Sequence, residues 1–255
     1  MNRIRKEKWA TRPVPMRHVY GFDICLNERD VMGVSPIIGL TGRYELHVTE
    51  LYRKLLRKRM TVLDVGANIG WYTLAAGAAV GPEGRVLAFE PEPSNLSLLE
   101  KSIQLNSFEN INVFPQALSD REGSETLHLS KNNLGAHSIS SVVGPESITV
   151  PSTTLDKVLE KLGIDKIDIL KVDVEGAEPQ VIVGGEESLK NTEHILIEWN
   201  PSAWKDRSEL IDMLLDNFLV YEIVRSPFLI KKKARDSLSN LPRTNLYLHR
   251  KSPNR

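Results

Sequence analysis

Four apolar runs in this sequence close on carboxylates. Thr61-Val62-Leu63 leads to Asp64, Arg85 through Phe89 to Glu90, Ile167 through Leu170 to Asp173 and Glu175, and Ile195-Leu196-Ile197 to Glu198. Acids at strand ends can grip hydroxyls, balance a cation or take up a proton, and the strand ends of an open α/β sheet are where ligands bind. The first run continues as Asp64-Val65-Gly66-Ala67-Asn68-Ile69-Gly70 and then a helical pattern, Trp71 to Ala79. Strand, small-residue turn and helix bring backbone close to a nucleotide-like ligand. Gly66 and Gly70 can turn tightly and expose main-chain N–H groups, and the helix presents its positive end to a carboxylate or phosphate. Glu90 follows Gly66 by 24 residues, where a carboxylate can hold two ribose hydroxyls.

The turn is GxxxG and lacks the third glycine of a dinucleotide fingerprint. Asp64 would repel a pyrophosphate but suits the ammonium of S-adenosylmethionine, which points to methyl transfer rather than hydride transfer. Taken alone the turn also fits a purely structural bend. Three further blocks alter that weighting: Phe89-Glu90-Pro91-Glu92-Pro93-Ser94-Asn95, Lys171-Val172-Asp173-Val174-Glu175-Gly176-Ala177-Glu178, and Ile195-Leu196-Ile197-Glu198-Trp199-Asn200-Pro201. In these motifs, in this order, the chain resembles the FkbM family of S-adenosylmethionine-dependent methyltransferases from about Gly42 to Pro201. The resemblance implies a sugar, glycolipid or polyketide acceptor.

Transfer of a methyl group from a sulfonium is a direct displacement, so the acceptor must be held in line with the methyl carbon. A hydroxyl acceptor also needs a base. On the donor side, Asp64 is expected at the amino group, Gly66, Asn68 and Gly70 along the methionine moiety, and Glu90 at the ribose. Asn95 and Ala117, in Gln116-Ala117-Leu118, are candidates for the adenine side, with loop capping an equal alternative for Asn95. Asp173 and Glu175, two apart in extended chain, would point to one side. Asp173 is the first choice to face the methyl group or acceptor, Glu198 would share the crevice, and His137 is the candidate neutral base. Asp173, Glu198 and Asn200 invite a Mg²⁺ reading, but no spacing is diagnostic and activity without added metal is expected. Glu45, in Gly42-Arg43-Tyr44-Glu45, either closes the donor pocket or pairs with an arginine. The basic clusters at Arg53 to Arg59 and Lys231-Lys232-Lys233 with Arg235 read first as a helix end and a solvated loop.

These residues need a scaffold. With 255 residues and 41% hydrophobic content the chain can bury one sizeable core. Lys+Arg and Asp+Glu are both 33, so no overall field steers it to nucleic acid or membrane. The single cysteine, Cys25, excludes an intramolecular disulfide. The basic N-terminus lacks an apolar signal region, and no run reaches a membrane span, so a cytoplasmic location is expected. Strands are predicted near 61–66, 85–90, 110–115, 167–173, 194–199, 219–225 and 244–249, with helices near 70–79, 94–105, 154–162, 178–189 and 206–216. Alternation means parallel pairing, with a last antiparallel strand. The resemblance supplies the order 3-2-1-4-5-7-6 of the class I methyltransferase fold, a Rossmann-like doubly wound seven-stranded α/β sheet. A β insertion is expected between Phe114 and Thr153, carrying a polar loop near the ligand-binding ends of the strands. Residues 1–58 are predicted to form an extension packing on the site and 59–255 the catalytic domain. A nucleic-acid methyltransferase would want a basic face and an Asn/Asp-Pro-Pro-aromatic loop after the fourth strand, where this chain has Asp173-Val174-Glu175-Gly176. A non-catalytic S-adenosylmethionine-binding protein would have lost the acids at 173, 175 and 198.

Overall fold

The computed structural model describes residues 4–9, 12–224, 230–233, 235–238 and 240–252. The chain opens with three strands, β1 (Ile4–Trp9), β2 (Arg12–Val19) and β3 (Phe22–Cys25), and two helices, α1 (Val34–Thr41) and α2 (Leu46–Leu55). Alternation follows: β4 (Thr61–Val65), α3 (Trp71–Val80), β5 (Arg85–Phe89), α4 (Pro93–Leu105) and β6 (Ile111–Phe114). The insertion comprises β7 (Ala117–Leu118), β8 (Gly123–Leu129) and β9 (Glu146–Thr153). Next come α5 (Leu155–Leu162), β10 (Ile167–Val172), α6 (Glu178–Val183), α7 (Glu186–Leu189), β11 (Thr192–Trp199), α8 (Ser208–Asn217) and β12 (Phe218–Ile223). Last are β13 (Ile230–Lys232), α9 (Arg235–Leu238) and β14 (Thr244–Arg250).

The main sheet runs β13-β12-β14-β11-β10-β4-β5-β6. Renumbering its seven alternating strands from β4 gives 3-2-1-4-5-7-6, with β14 antiparallel to both neighbours, as the resemblance implied. An eighth strand, β13, adds to the edge of β12 within the stretch read from sequence as a loop. The side chains of Lys231, Lys232 and Arg235 lie outside the described residues; Lys233 pairs with Glu222 at 2.7 Å. The helix predicted over 178–189 is two short helices, interrupted at Gly184-Gly185, and a Cβ at Gly184 would sit 2.0 Å from the Ser119 carbonyl oxygen. Only a glycine lets the insertion's first strand come that near.

Central strands β4, β10 and β11 are buried on both faces, which explains their near-continuous Val, Ile and Leu content. One face packs on α3 and the N-terminal segment, so that Phe22, Ile24, Tyr52, Val62, Trp71 and Leu74 share a cluster. The other packs on α5, α6 and α8 through Leu63, Leu170, Ile182 and Leu210. The N-terminal sheet is tied to α4 by the Cys25 N–H to Ser102 Oγ at 2.9 Å and the Asp23 N–H to Asn106 Oδ1 at 2.8 Å. No helix among the described residues is long and apolar enough to cross a membrane.

Candidate active site

A cleft opens at the carboxyl ends of β4, β5 and β10, where ligands bind in open α/β sheets. Its floor is the 66–70 turn. Gly66 has φ +83°, and a Cβ there would meet the Asp173 carbonyl oxygen at 1.9 Å; the turn therefore lies directly against the end of β10. The amide groups of the turn are spent internally. Gly66 and Ala67 both donate to the Phe89 carbonyl, Gly70 to that of Ala67, and Ile69 to Asn68 Oδ1. They are not free for an anion, as the glycine pattern had suggested.

Glu90 is the brace. One carboxylate oxygen accepts the Asn68 N–H at 2.7 Å and the other accepts the Glu92 N–H at 2.9 Å. Burial pushes its carboxyl up to about 7, against the pull of those two amides. Glu90 lines the cleft, as do Gly66, Asn68, Asn95 and Ala117. Gly70 and Asp64 do not. A Cβ on Gly70 (φ +98°) would meet Leu99 at 2.5 Å, so this glycine serves helix packing. Asp64, 1% exposed, accepts the Thr73 hydroxyl at 2.6 Å and the Thr73 main chain, which caps the first turn of α3 from beneath. Its Oδ1 has no partner. Burial raises its carboxyl, opposed by Lys171.

The insertion folds over this floor. The Leu134 carbonyl accepts from both Asn68 Nδ2 and Asn95 Nδ2, each at 3.2 Å, and the Leu134 N–H donates to Asp30 Oδ1 at 3.2 Å. Asn95 also caps back to Glu92 through its N–H at 2.7 Å, while its own Oδ1 is buried with no partner. That orphan acceptor fits a donor N–H from a bound ligand. His137 lines the same cleft, but its Nδ1 accepts the Ser130 N–H at 3.0 Å, so the neutral ring carries its proton on Nε2. Burial lowers its pKa, and the acids that bear on it are Glu92 and Asp30. It therefore stands at the Glu92 side as a hydrogen-bond donor, and the arrangement does not give it the free lone pair a base requires.

At the other end, Asp173, Glu175 and Glu198 bring carboxylate oxygens within 4.8 Å of one another. Two cations that sequence reasoning missed hold them. Lys171, 3% exposed, donates to Asp173 Oδ2 at 2.9 Å and lies 4.4 Å from the Tyr72 ring centre. Burial alone would push its ammonium down, but Asp173, Asp64 and Glu45 hold it above its ordinary value. Arg243 grips Glu198 through Nε and Nη2 at 2.7 Å each, and its Nη2 also reaches Glu175. Glu175 sits at φ +56°, a strained conformation, with its carbonyl pinned by Ser138 Oγ at 2.7 Å. Burial, then Asp173 and Glu198, push its carboxyl up to about 7; burial likewise raises Glu198 against Arg243.

Glu45 takes neither expected role, accepting the Tyr72 hydroxyl at 2.8 Å and Asn245 Nδ2 at 3.4 Å. Asn200 accepts the Ser202 hydroxyl at 2.7 Å and terminates its strand. Tyr44 lines the cleft, and burial with Glu45, Asp173, Glu175 and Glu198 raises its pKa, so it stays a phenol. A lysine inside an apolar strand run was the signal that could have found Lys171. Arg243, 45 residues from Glu198, gave none.

Residues 64–223 match the family described as the methyltransferase FkbM domain. The chain belongs to that family. It is similar to the 2-O-methyltransferase NoeI of Sinorhizobium fredii, 26% identical over 64% of this chain and 72% of that protein. Its likeness to the hexuronic acid methyltransferase AglP of Haloferax volcanii is 25% over 89% and 92% respectively. The methyltransferase sdnD of Sordaria araneosa is 28% identical over 59% of this chain and 70% of its own. This FkbM-family protein is thus a methyltransferase whose match begins on Asp64 and spans the turn, the insertion and all three clustered acids.

Proposed function

We propose that this FkbM-family protein methylates a hydroxyl of a sugar, glycan or related natural product, with S-adenosylmethionine as donor. The observation that carries the reading is that one cleft joins the Glu90-braced turn to Asp173 and Glu175. The relatives NoeI and AglP, named for 2-O- and hexuronic acid methylation, support the hydroxyl acceptor. When bound, the donor supplies an electrophilic methyl on a sulfonium.

Glu90 offers its remaining lone pairs to the ribose hydroxyls, and Gly66 and Asn68 lie along the methionine chain. The orphan Asn95 Oδ1, beside Ala117, receives the adenine amino group. Asp64 acts from behind the turn, holding the start of α3 through Thr73. On the acceptor side Asp173, fixed by Lys171, orients the hydroxyl. Glu175, at about 7, takes its proton. Glu198 and Arg243 position Glu175, and the segment before residue 58 walls the acceptor through Val34 and Tyr44. His137 donates from Nε2 to the bound donor.

Mass-detected transfer from S-adenosylmethionine to a panel of glycosides tests this directly. The donor at ~100 times its dissociation constant should stabilise the fold by ~2.7 kcal/mol, and nicotinamide dinucleotides should not. Stabilisation by the dinucleotide and not by the sulfonium would refute the reading. An acidic cluster at the acceptor end and a formal net charge of zero weigh against a nucleic-acid acceptor.

A further inference from the structure

A second group of ligating side chains lies on the same strand pair as Glu198, toward the opposite end of the sheet. His194 of β11 faces His249 of β14 across the antiparallel register, with ring centroids 4.9 Å apart. His194 precedes Glu198 by four residues, roughly 13 Å of extended strand, which sets the group apart from the cleft. Glu193 Oε1 is 3.2 Å from His249 Nε2. One ligand atom from each of the three residues falls within 4.8 Å of the other two. A tetrahedral zinc ion with bonds near 2.0–2.1 Å sets its ligand atoms roughly 3.3 Å apart, so side-chain rotation alone can close the set.

Two independent features prepare these residues for a cation. The Tyr247 hydroxyl, 3.0 Å from His194 Nδ1, fixes that ring and leaves Nε2 uncommitted, the outer-shell arrangement that orients ligating histidines. The basic groups around Glu193 are engaged elsewhere. Lys166 donates to Asp168 at 2.8 Å, and Arg250 donates to the carbonyls of Thr192 and Leu189 and lies over Phe218. Among the described residues His249 alone is ion-paired with Glu193, and the side chains of both are 41% exposed.

We propose that His194, His249 and Glu193 form a site for a divalent transition-metal cation of the zinc class, pinning β14 to β11. Two imidazoles and one carboxylate suit zinc, whereas magnesium and calcium demand more oxygen ligands. The fourth position is open to water. The site is independent of methyl transfer.

Untagged protein, stripped by chelator, is titrated with zinc chloride by calorimetry and followed by thermal melting. Binding of one equivalent in the micromolar range and a raised melting temperature are expected, with no shift from magnesium chloride. His249→Ala should weaken zinc binding ~100-fold or more and Tyr247→Phe ~10-fold, with the metal-free melting temperature of His249→Ala close to the parent's. Asp173→Asn should leave the zinc isotherm unchanged, which separates this site from the carboxylates of the cleft. No zinc-dependent shift, or parental affinity in His249→Ala, overturns the proposal.

Discussion

Arg243 binds Glu198 as a two-pronged fork, Nε and Nη2 each 2.7 Å from a carboxylate oxygen, and the same Nη2 carries Glu175. A residue of β14's approach thus fixes the charge of two acids that burial pushes toward neutrality.

Replacing that fork should change pH behaviour as well as rate. Arg243→Met leaves Glu175 and Glu198 without their cation, so both carboxyls rise further. The acid limb of turnover, set by a base titrating at about 7, should move to higher pH, and the rate at neutrality should fall ~10-fold or more. Arg243→Lys restores charge without the fork and should recover only part of the loss. A rate–pH profile with an unmoved acid limb would remove Glu175 from the role of base.

Glu90→Ala removes the acceptor of two main-chain amides as well as the proposed ribose contact. Donor affinity should drop by ~1.5–3 kcal/mol, the range for hydrogen bonds to a charged group. Stability should fall by ~1–3 kcal/mol as the Asn68 and Glu92 amides lose their partner. Calorimetric titration of the donor, paired with denaturant unfolding, separates the two effects, and unchanged donor affinity in a folded variant would place the ribose elsewhere.

His137→Ala should weaken donor binding by a few-fold without abolishing turnover at saturation, because its Nε2 donates and its Nδ1 is occupied. Recovery of a large kcat loss on raising the pH would mark it as the base after all. Steady-state kinetics across pH decide between them.

Glu178 is fully buried, with Oε1 accepting the Val174 and Gly176 amides at 3.1 Å each and Oε2 unpartnered. Burial raises its carboxyl from 4.5 to about 7, so the folded state holds a proton that the unfolded chain releases. This stabilisation is complete below about 4.5 and is lost as pH rises through about 7, on the order of 3 kcal/mol in full. Glu178→Gln keeps the Oε1 acceptor and has no proton to lose. Its melting temperature should therefore fall less steeply than the parent's between pH 4.5 and 7; parallel curves would contradict the assignment.

The alternation of β4 to β12 was legible because fully buried parallel strands must be continuous apolar runs. The positions of the acids at 90, 173 and 175 on the cleft were legible because strand ends open onto the crevice. Glu198, expected to share it, does not line it and reaches Glu175 through Arg243 instead. Asp64 was misread in position, since a carboxylate before a turn can face a ligand or cap the helix behind it, and only packing chooses. Gly70 misled for a similar reason: a left-handed φ is required there, but Leu99 is what lies opposite. Lys171 and Arg243 owe their places to partners across the sheet and 45 residues away, which no local pattern encodes. The first 58 residues gave little because short strands and an αL residue at Glu45 (φ +39°) leave weak periodicity.

The peptide of Leu134 joins three stretches of chain that are remote in sequence: Asp30 holds its amide, and Asn68 and Asn95 hold its carbonyl. Those two asparagines also line the cleft. Swapping the insertion for a relative's, to redirect the enzyme to a new acceptor, would carry off the peptide on which the N-terminal segment and the floor of the cleft both depend. Acceptor preference in this scaffold is not a detachable cassette; a successful graft must bring its own residue 30 with it.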